Sequence, residues 1–150
     1  MKDPSGEGRK VVAENRRARH DYEIIARYEA GMVLLGSEVK SMRNGGAQLV
    51  DSYAEVLHGE VFLVGANIMQ YSAASYMNHE PRRRRKLLMH AAEIHRLDMK
   101  VREKGLTLIP LCVYFREGRA KIEIALAKGR KAYDKRDRIL QRDLDRAARE

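Results

Sequence analysis

Tryptophan is missing from this 150-residue chain, phenylalanine occurs twice, and there is a single cysteine. With Cys112 alone, neither an intramolecular disulfide nor a cysteine-built zinc site can form. Seven tyrosines and two phenylalanines are few aromatic faces, which argues against a reader of single strands that stacks base after base. No apolar run approaches the ~20 residues that cross a bilayer, and Met1–Lys10 lacks the apolar stretch of a secretory signal. The expected setting is the cytoplasm, with no membrane partner. Signatures of chemistry are missing as well: there is no Gly-rich phosphate loop, nucleophile elbow or His-Glu-x-x-His pair. The five histidines (His20, His58, His79, His90, His95) have no metal-ligand spacing and are expected at helix starts or on the surface. Nothing in the residues asks for a catalytic group, a metal or a cofactor.

What the chain has in excess is positive charge. Thirty Lys and Arg against 21 Asp and Glu leave a net +9, which favours polyanionic partners. Hydrophobic residues make up 44%, enough at this length for one packed domain.

Residues 1–10, polar and holding Pro4, Gly6 and Gly8, read as a flexible leader. Tyr22, Ile24 and Ala26 alternate with Glu23, Ile25 and Arg27 as in a strand, and a second short apolar run, Met32–Leu35, lies between Gly31 and Gly36. Ser37–Arg43 reads as a short helix with Ser37 as its N-cap, Glu38 at its positive end and Asn44-Gly45-Gly46 as its stop. Tyr53–Leu57 and Val61–Ile68, joined through His58-Gly59-Glu60, form the clearest hairpin. Residues 70–81 have no regular period.

Leu87, Ala91, Ile94, Leu97 and Val101 predict a helix over Leu87–Lys104, capped by Gly105. Two strands follow, Leu106–Phe115 and Ala120–Leu126, and Pro110 implies a bulge or an unpaired edge in the first. About six strands, a short helix and a longer one predict a mainly β protein, a small antiparallel barrel rather than a doubly wound sheet. The barrel domain is expected over residues 11–132. In Tyr133–Glu150, Leu140, Leu144 and Ala147 share one helical face while Arg138, Arg142, Arg146 and Arg149 share another. That segment reads as a basic tail, disordered when free, that folds as a helix against RNA.

Three basic clusters flank the β elements: Asn15-Arg16-Arg17-Ala18-Arg19-His20, Lys40 with Arg43, and Arg82-Arg83-Arg84-Arg85-Lys86. A charge run of this kind is often a solvated loop. Between a Pro-ended loop and a helix on an already basic chain, however, Arg82–Lys86 reads as a strip that contacts phosphates, each contact releasing counterions. With few stacking aromatics, recognition of the backbone and shape of a folded RNA is the expected mode. An enzyme using Glu29 or Glu38 with His20, such as a small nuclease, is the rival from another class. Cys112 lies in the most apolar strand, where a small buried hydrophobe is the default.

Several runs in order resemble a known family. They are Asn15–Tyr22, Tyr28-Glu29-Ala30-Gly31, Gly36–Ser41, Asp51-Ser52-Tyr53-Ala54, Arg85-Lys86-Leu87-Leu88, Glu103–Thr107, Ala127–Lys131 and Asp134-Lys135-Arg136. Together they are similar to the bacterial SsrA-binding protein (SmpB) family, from about residue 13 to 138. The resemblance implies an oligonucleotide-binding (OB)-type barrel that is no enzyme. It implies binding to the tRNA-like domain of transfer-messenger RNA and rescue of stalled ribosomes by trans-translation. The implied partners are that RNA, the ribosome with its small-subunit decoding centre and, through the charged RNA, elongation factor Tu and alanyl-tRNA synthetase. Carried over by position, the RNA surface takes Asn15, Arg16, Arg17, Arg19, His20, Glu29, Lys40, Arg43, Lys128 and Gly129. To these the residues themselves add Arg82, Arg83, Arg85 and Lys86. Glu29 would accept from a ribose hydroxyl or base amine, or orient a neighbouring arginine. The tail, with Tyr133, Asp134, Lys135, Arg136, Arg138 and Arg142, would enter the decoding site and the empty messenger channel. Tyr133 stands where many relatives have histidine, and Gly46 where a basic residue is common. A general binder of structured RNA, or a ribosome-associated protein, is the alternative.

Overall fold

The computed structural model describes residues 8–71 and 78–129. Their elements run β1 (Arg9–Glu14), α1 (Ala18–Asp21), β2 (Tyr22–Met32), α2 (Gly36–Arg43), β3 (Ala47–Gln48) and β4 (Tyr53–Leu57). After these come β5 (Glu60–Val64), β6 (Asn67–Ile68), β7 (Arg85–Leu88), α3 (Ala91–Lys104), β8 (Thr107–Arg116) and β9 (Arg119–Gly129). Six strands close into an antiparallel ring, β8-β4-β5-β7-β2-β9, with β9 returning to β8. The barrel expected from the sequence is there. β1 continues the sheet along the far half of β8, while β3 and β6 pair separately.

β2 runs on through Gly31 to Met32, and Val33–Leu35, the rest of the second apolar run, forms no strand. Gly31 does not end β2, being paired with Lys121 on one side and Leu88 on the other. A Cβ there would lie 3.3 Å from the Leu88 Cβ, so the glycine lets two strands close tightly. The leader boundary also moves, because Arg9 and Lys10 are strand residues opposite Arg116 and Phe115. Pro110 produces the expected irregularity: it pairs with Ile124 and Cys112 with Glu123, which leaves Leu111 as the bulged residue. The tight turns follow from positive φ at His58 and Gly59 (51° and 78°) and at Glu117 and Gly118 (52° and 77°). Gly65, at φ 83°, cuts the predicted second hairpin strand short, and Asn67–Ile68 leaves to meet β3.

The long helix starts at Ala91, not Leu87. Arg85–Leu88 is extended because it is sandwiched between β5 and β2, and this pairing overrides the three-and-four spacing that continues through Leu87. From α3, Ile94 and Leu97 enter the main core with Val61, Leu63, Leu87, Ile122, Ile124 and Leu126. Gly105 caps the helix in the left-handed region as expected. Outside the barrel a smaller core forms from Ala18, Ile109, Ala125 and Ala127. β8 is therefore apolar on both faces because both are covered. Cys112 is buried, as expected of a small hydrophobe in this strand. Leader residues 1–7, the predicted tail helix, Tyr133, Asp134, Lys135, Arg136, Arg138 and Arg142 lie outside the described residues.

Candidate nucleic-acid interface

The corner between β1 and β2 is fixed by one asparagine. The backbone N–H of Asn15 donates to the Leu111 carbonyl (2.8 Å), and its side-chain amide donates to the Pro110 carbonyl (3.0 Å). The strand thus ends on the bulge of β8, and the chain turns into the single turn of α1. Ala18, 2% exposed, seats that turn on the smaller core. Its neighbours Arg16, Arg17, Arg19 and His20 consequently stand exposed. His20 meets Asp21 at 3.1 Å, while the three arginines form no ion pair with a described residue. The end of β9 joins this corner, with Lys128 opposite Glu23 and Gly129 opposite Tyr22. A Cβ on Gly129 would make only ordinary contact with the Tyr22 ring at 3.9 Å, so the fold itself does not demand glycine.

Glu29, Lys40 and Arg43 belong to a second region. Along β2, Glu29 lies seven residues beyond Tyr22, about 23 Å of extended chain. Its carboxylate accepts from the Tyr114 hydroxyl and from the Arg116 guanidinium (2.7 Å). Arg9 stacks on the Tyr114 ring at 4.0 Å and donates to Glu123 at 2.8 Å. Burial, with Glu29 accepting the phenolic proton, raises the Tyr114 pKa well above its ordinary value. Of the two roles expected for Glu29, the structure displays the orienting one. Lys40 and Arg43 are exposed on α2, near the rings of Tyr71 (5.7 Å) and Phe115 (5.6 Å), without a carboxylate partner among the described residues.

The strip Arg82–Lys86 is different from its sequence reading. Arg85 is 0% exposed and donates to Glu38 (2.6 Å) and to the carbonyls of Ala66, Arg83 and Pro81 (each 2.9 Å). Arg83 clasps the same carboxylate through its Nε (3.1 and 3.2 Å) and a closer terminal nitrogen. Arg84 pairs with Glu55 at 2.7 Å, and Lys86 with Glu60 at 3.0 Å. Arg82 alone in the block has an exposed guanidinium with no carboxylate partner among the described residues, although its backbone N–H donates to Glu80 at 3.1 Å. Arg85 is therefore a core residue and not part of an exposed strip, because strand alternation turns it inward with Leu87. That alternation was the available signal.

Glu38 is also fully buried, and it caps α2 by accepting from the Leu35 N–H at 2.8 Å. Burial alone would raise its pKa. The hydrogen bonds from Arg83, the Leu35 N–H and Arg85 outweigh burial and hold the carboxyl below its ordinary range. Ser37, expected to be the cap, meets His79 instead at 2.8 Å. His79 corrects the surface expectation for histidines, being 3% exposed and also 2.8 Å from the Ile68 carbonyl. A carbonyl only accepts, so Nε2 is the donor in that contact. The nuclease constellation is not assembled: Glu38 is enclosed, Glu29 is engaged elsewhere, and His20 lies at the other end of β2. Among the described residues no group of His, Cys, Asp or Glu could hold a metal, and no helix is long and apolar enough to cross a membrane.

A closed six-stranded barrel with two exposed cationic regions defines a small OB-like protein with a surface suited to a polyanion. Comparison with known proteins narrows the class: the profile of the SmpB protein family matches residues 12–150. The chain is 56% identical over 147 residues to an SsrA-binding protein of Parafrankia sp. (strain EAN1pec), covering 98% of this chain and 91% of that one. It is 55% identical over 145 residues to an SsrA-binding protein of Thermobifida fusca (strain YX), covering 97% and 91%. A solved chain from work on tmRNA–SmpB at the centre of the bacterial ribosome matches with TM-score 0.67 and 53% identity, over 79% of this chain and 84% of that one. The chain belongs to the SmpB family. With that membership it is an RNA-binding factor associated with the ribosome and not an enzyme.

Proposed function

We propose that this chain binds the tRNA-like domain of transfer-messenger RNA and carries it to stalled ribosomes for trans-translation in the cytoplasm. The observation that carries the reading is the corner of Arg16, Arg17 and Arg19, held rigidly by Asn15 and Ala18 yet uncommitted to any described carboxylate. Such cations gain most from phosphates, since no internal partner is lost on binding. The relatives' name and the ribosomal setting of the solved chain support this RNA and this particle. His20, Lys128 and Gly129 complete the corner. Lys40, Arg43 and Arg82 extend it along the barrel, and Glu29 keeps Arg116 aimed outward. Arg83 and Lys86 serve the frame, through Glu38 and Glu60.

In the ribosome the protein occupies the decoding site of the small subunit. Tyr133 stacks on RNA there, and Asp134, Lys135, Arg136, Arg138 and Arg142 follow the empty messenger channel. Elongation factor Tu and alanyl-tRNA synthetase act on the same complex through the charged RNA. Filter binding over a range of salt tests the RNA site. Arg16→Ala and Arg17→Ala each lower affinity for the tRNA-like domain and reduce the salt slope by about 0.7–0.9 per lost phosphate contact. Unchanged slopes in both variants would place the RNA elsewhere on the molecule.

A further inference from the structure

We propose that the cleft between α1 and the Leu49–Ser52 turn receives the edge of an unpaired RNA base, guanine above the others. The proposal rests on the RNA-binding reading of the corner beside it. Ala18 and Ile109 form a buried apolar floor, Tyr22 and Val50 the walls, and Arg17 and Asp51 the rim. The cleft is small, about 80 Å³, room for the edge of one base rather than for a whole nucleoside or a helix.

The turn is firmly made. The Ser52 N–H and hydroxyl both donate to the Leu49 carbonyl, at 3.2 and 2.6 Å. Asp51 consequently sits at φ 59°, a left-handed conformation that Asp tolerates better than most residues. The turn presents two groups that the fold does not use. Val50 is 58% exposed although apolar, and the Asp51 side chain has no hydrogen bond or ion pair with any described residue.

A free carboxylate next to a bank of arginines repels phosphate, so its use at an RNA surface is to accept base N–H groups. Guanine presents N1–H and N2–H side by side, which a carboxylate accepts as a pair. Uracil offers a single N–H. Unpaired bases are read in this way, by hydrogen bonds to their edges with their faces against apolar or aromatic side chains. Tyr22 and Val50 supply such faces, and Arg17 on the rim is placed for the adjoining phosphate. Asp21 also lines the cleft, beside His20.

The test uses NMR of the full chain at physiological salt with three single-stranded pentamers: UUGUU, UUIUU with inosine in place of guanine, and UUUUU. UUGUU moves the resonances of Val50, Tyr22 and Asp51. Removing the guanine amino group in UUIUU weakens binding about tenfold, within the range for one bidentate base contact. Asp51→Asn and Asp51→Gly, both compatible with the left-handed turn, abolish the preference for UUGUU over UUIUU. Equal binding of the three pentamers by the unsubstituted chain, or a preference kept by both variants, overturns the proposal. Because the pentamers have no tRNA-like structure, this result is independent of whether the chain prefers transfer-messenger RNA.

Discussion

Glu38 and Arg85 expose no side-chain surface, and each is satisfied largely by the other and by Arg83. Removing one member of such a set leaves a charge buried and uncompensated, at a cost of about 3–5 kcal/mol. Glu38→Gln should lose stability of that order in urea unfolding near neutral pH. The carboxyl pKa is lowered from its ordinary 4.5, so the unfolded chain takes up its proton first as pH falls. Its contribution is thus complete above the ordinary value and is lost as pH falls through the lowered one. The gap between the variant and the unsubstituted chain should narrow in acid, and a gap independent of pH would contradict the ion-pair account. This trio was only partly legible in the sequence. Five consecutive cations look like surface, and only the alternation of Arg85 with Leu87 hints that one of them turns inward. Its partner lies 47 residues away, a pairing that no local pattern encodes.

At the scale of elements, α2 carries Lys40 and Arg43, and its far end depends on a glycine. A Cβ on Gly46 would lie 2.2 Å from the Ser41 hydroxyl oxygen and 3.0 Å from the Ser41 carbonyl oxygen. Gly46→Ala should therefore destabilise the protein by about 1–3 kcal/mol, the scale of forced overpacking. Gly129→Ala, with only a 3.9 Å contact to meet, should leave the melting temperature nearly unchanged. Thermal melts of the two variants separate the cases, and equal losses would contradict the packing argument. Strands with clean alternation, such as β9, and turns with glycine were readable because their signals are local. The start of α3 was not, since Leu87 fits a helical period and a strand equally well until β2 and β5 are present to pair with it. α1 escaped notice because a four-residue turn seated by one alanine has no period to detect.

For the molecule as a whole, the mainly β barrel and the basic surface were legible, because apolar runs and charge are written along the chain. The strands were not all the right ones, since Val33–Leu35 forms none and β7 hides at the start of a helical period. The division of the cations into binding and structural sets was not, since it depends on which carboxylates the fold brings near. Barrel and tail are expected to divide the labour. Truncation after Arg130 should leave binding to the tRNA-like domain nearly intact while abolishing peptide tagging on stalled ribosomes in a reconstituted translation assay. Equal loss of both would make the tail part of the primary RNA site. The most direct test of the central claim is a competition band shift at physiological salt. Labelled tRNA-like domain of transfer-messenger RNA is challenged with unlabelled self, ordinary tRNA and generic duplex RNA, since affinity for a phosphate backbone depends steeply on salt. The account predicts that only the unlabelled tRNA-like domain competes efficiently. Equal competition by all three would make the cationic corner a general phosphate binder and contradict the assignment.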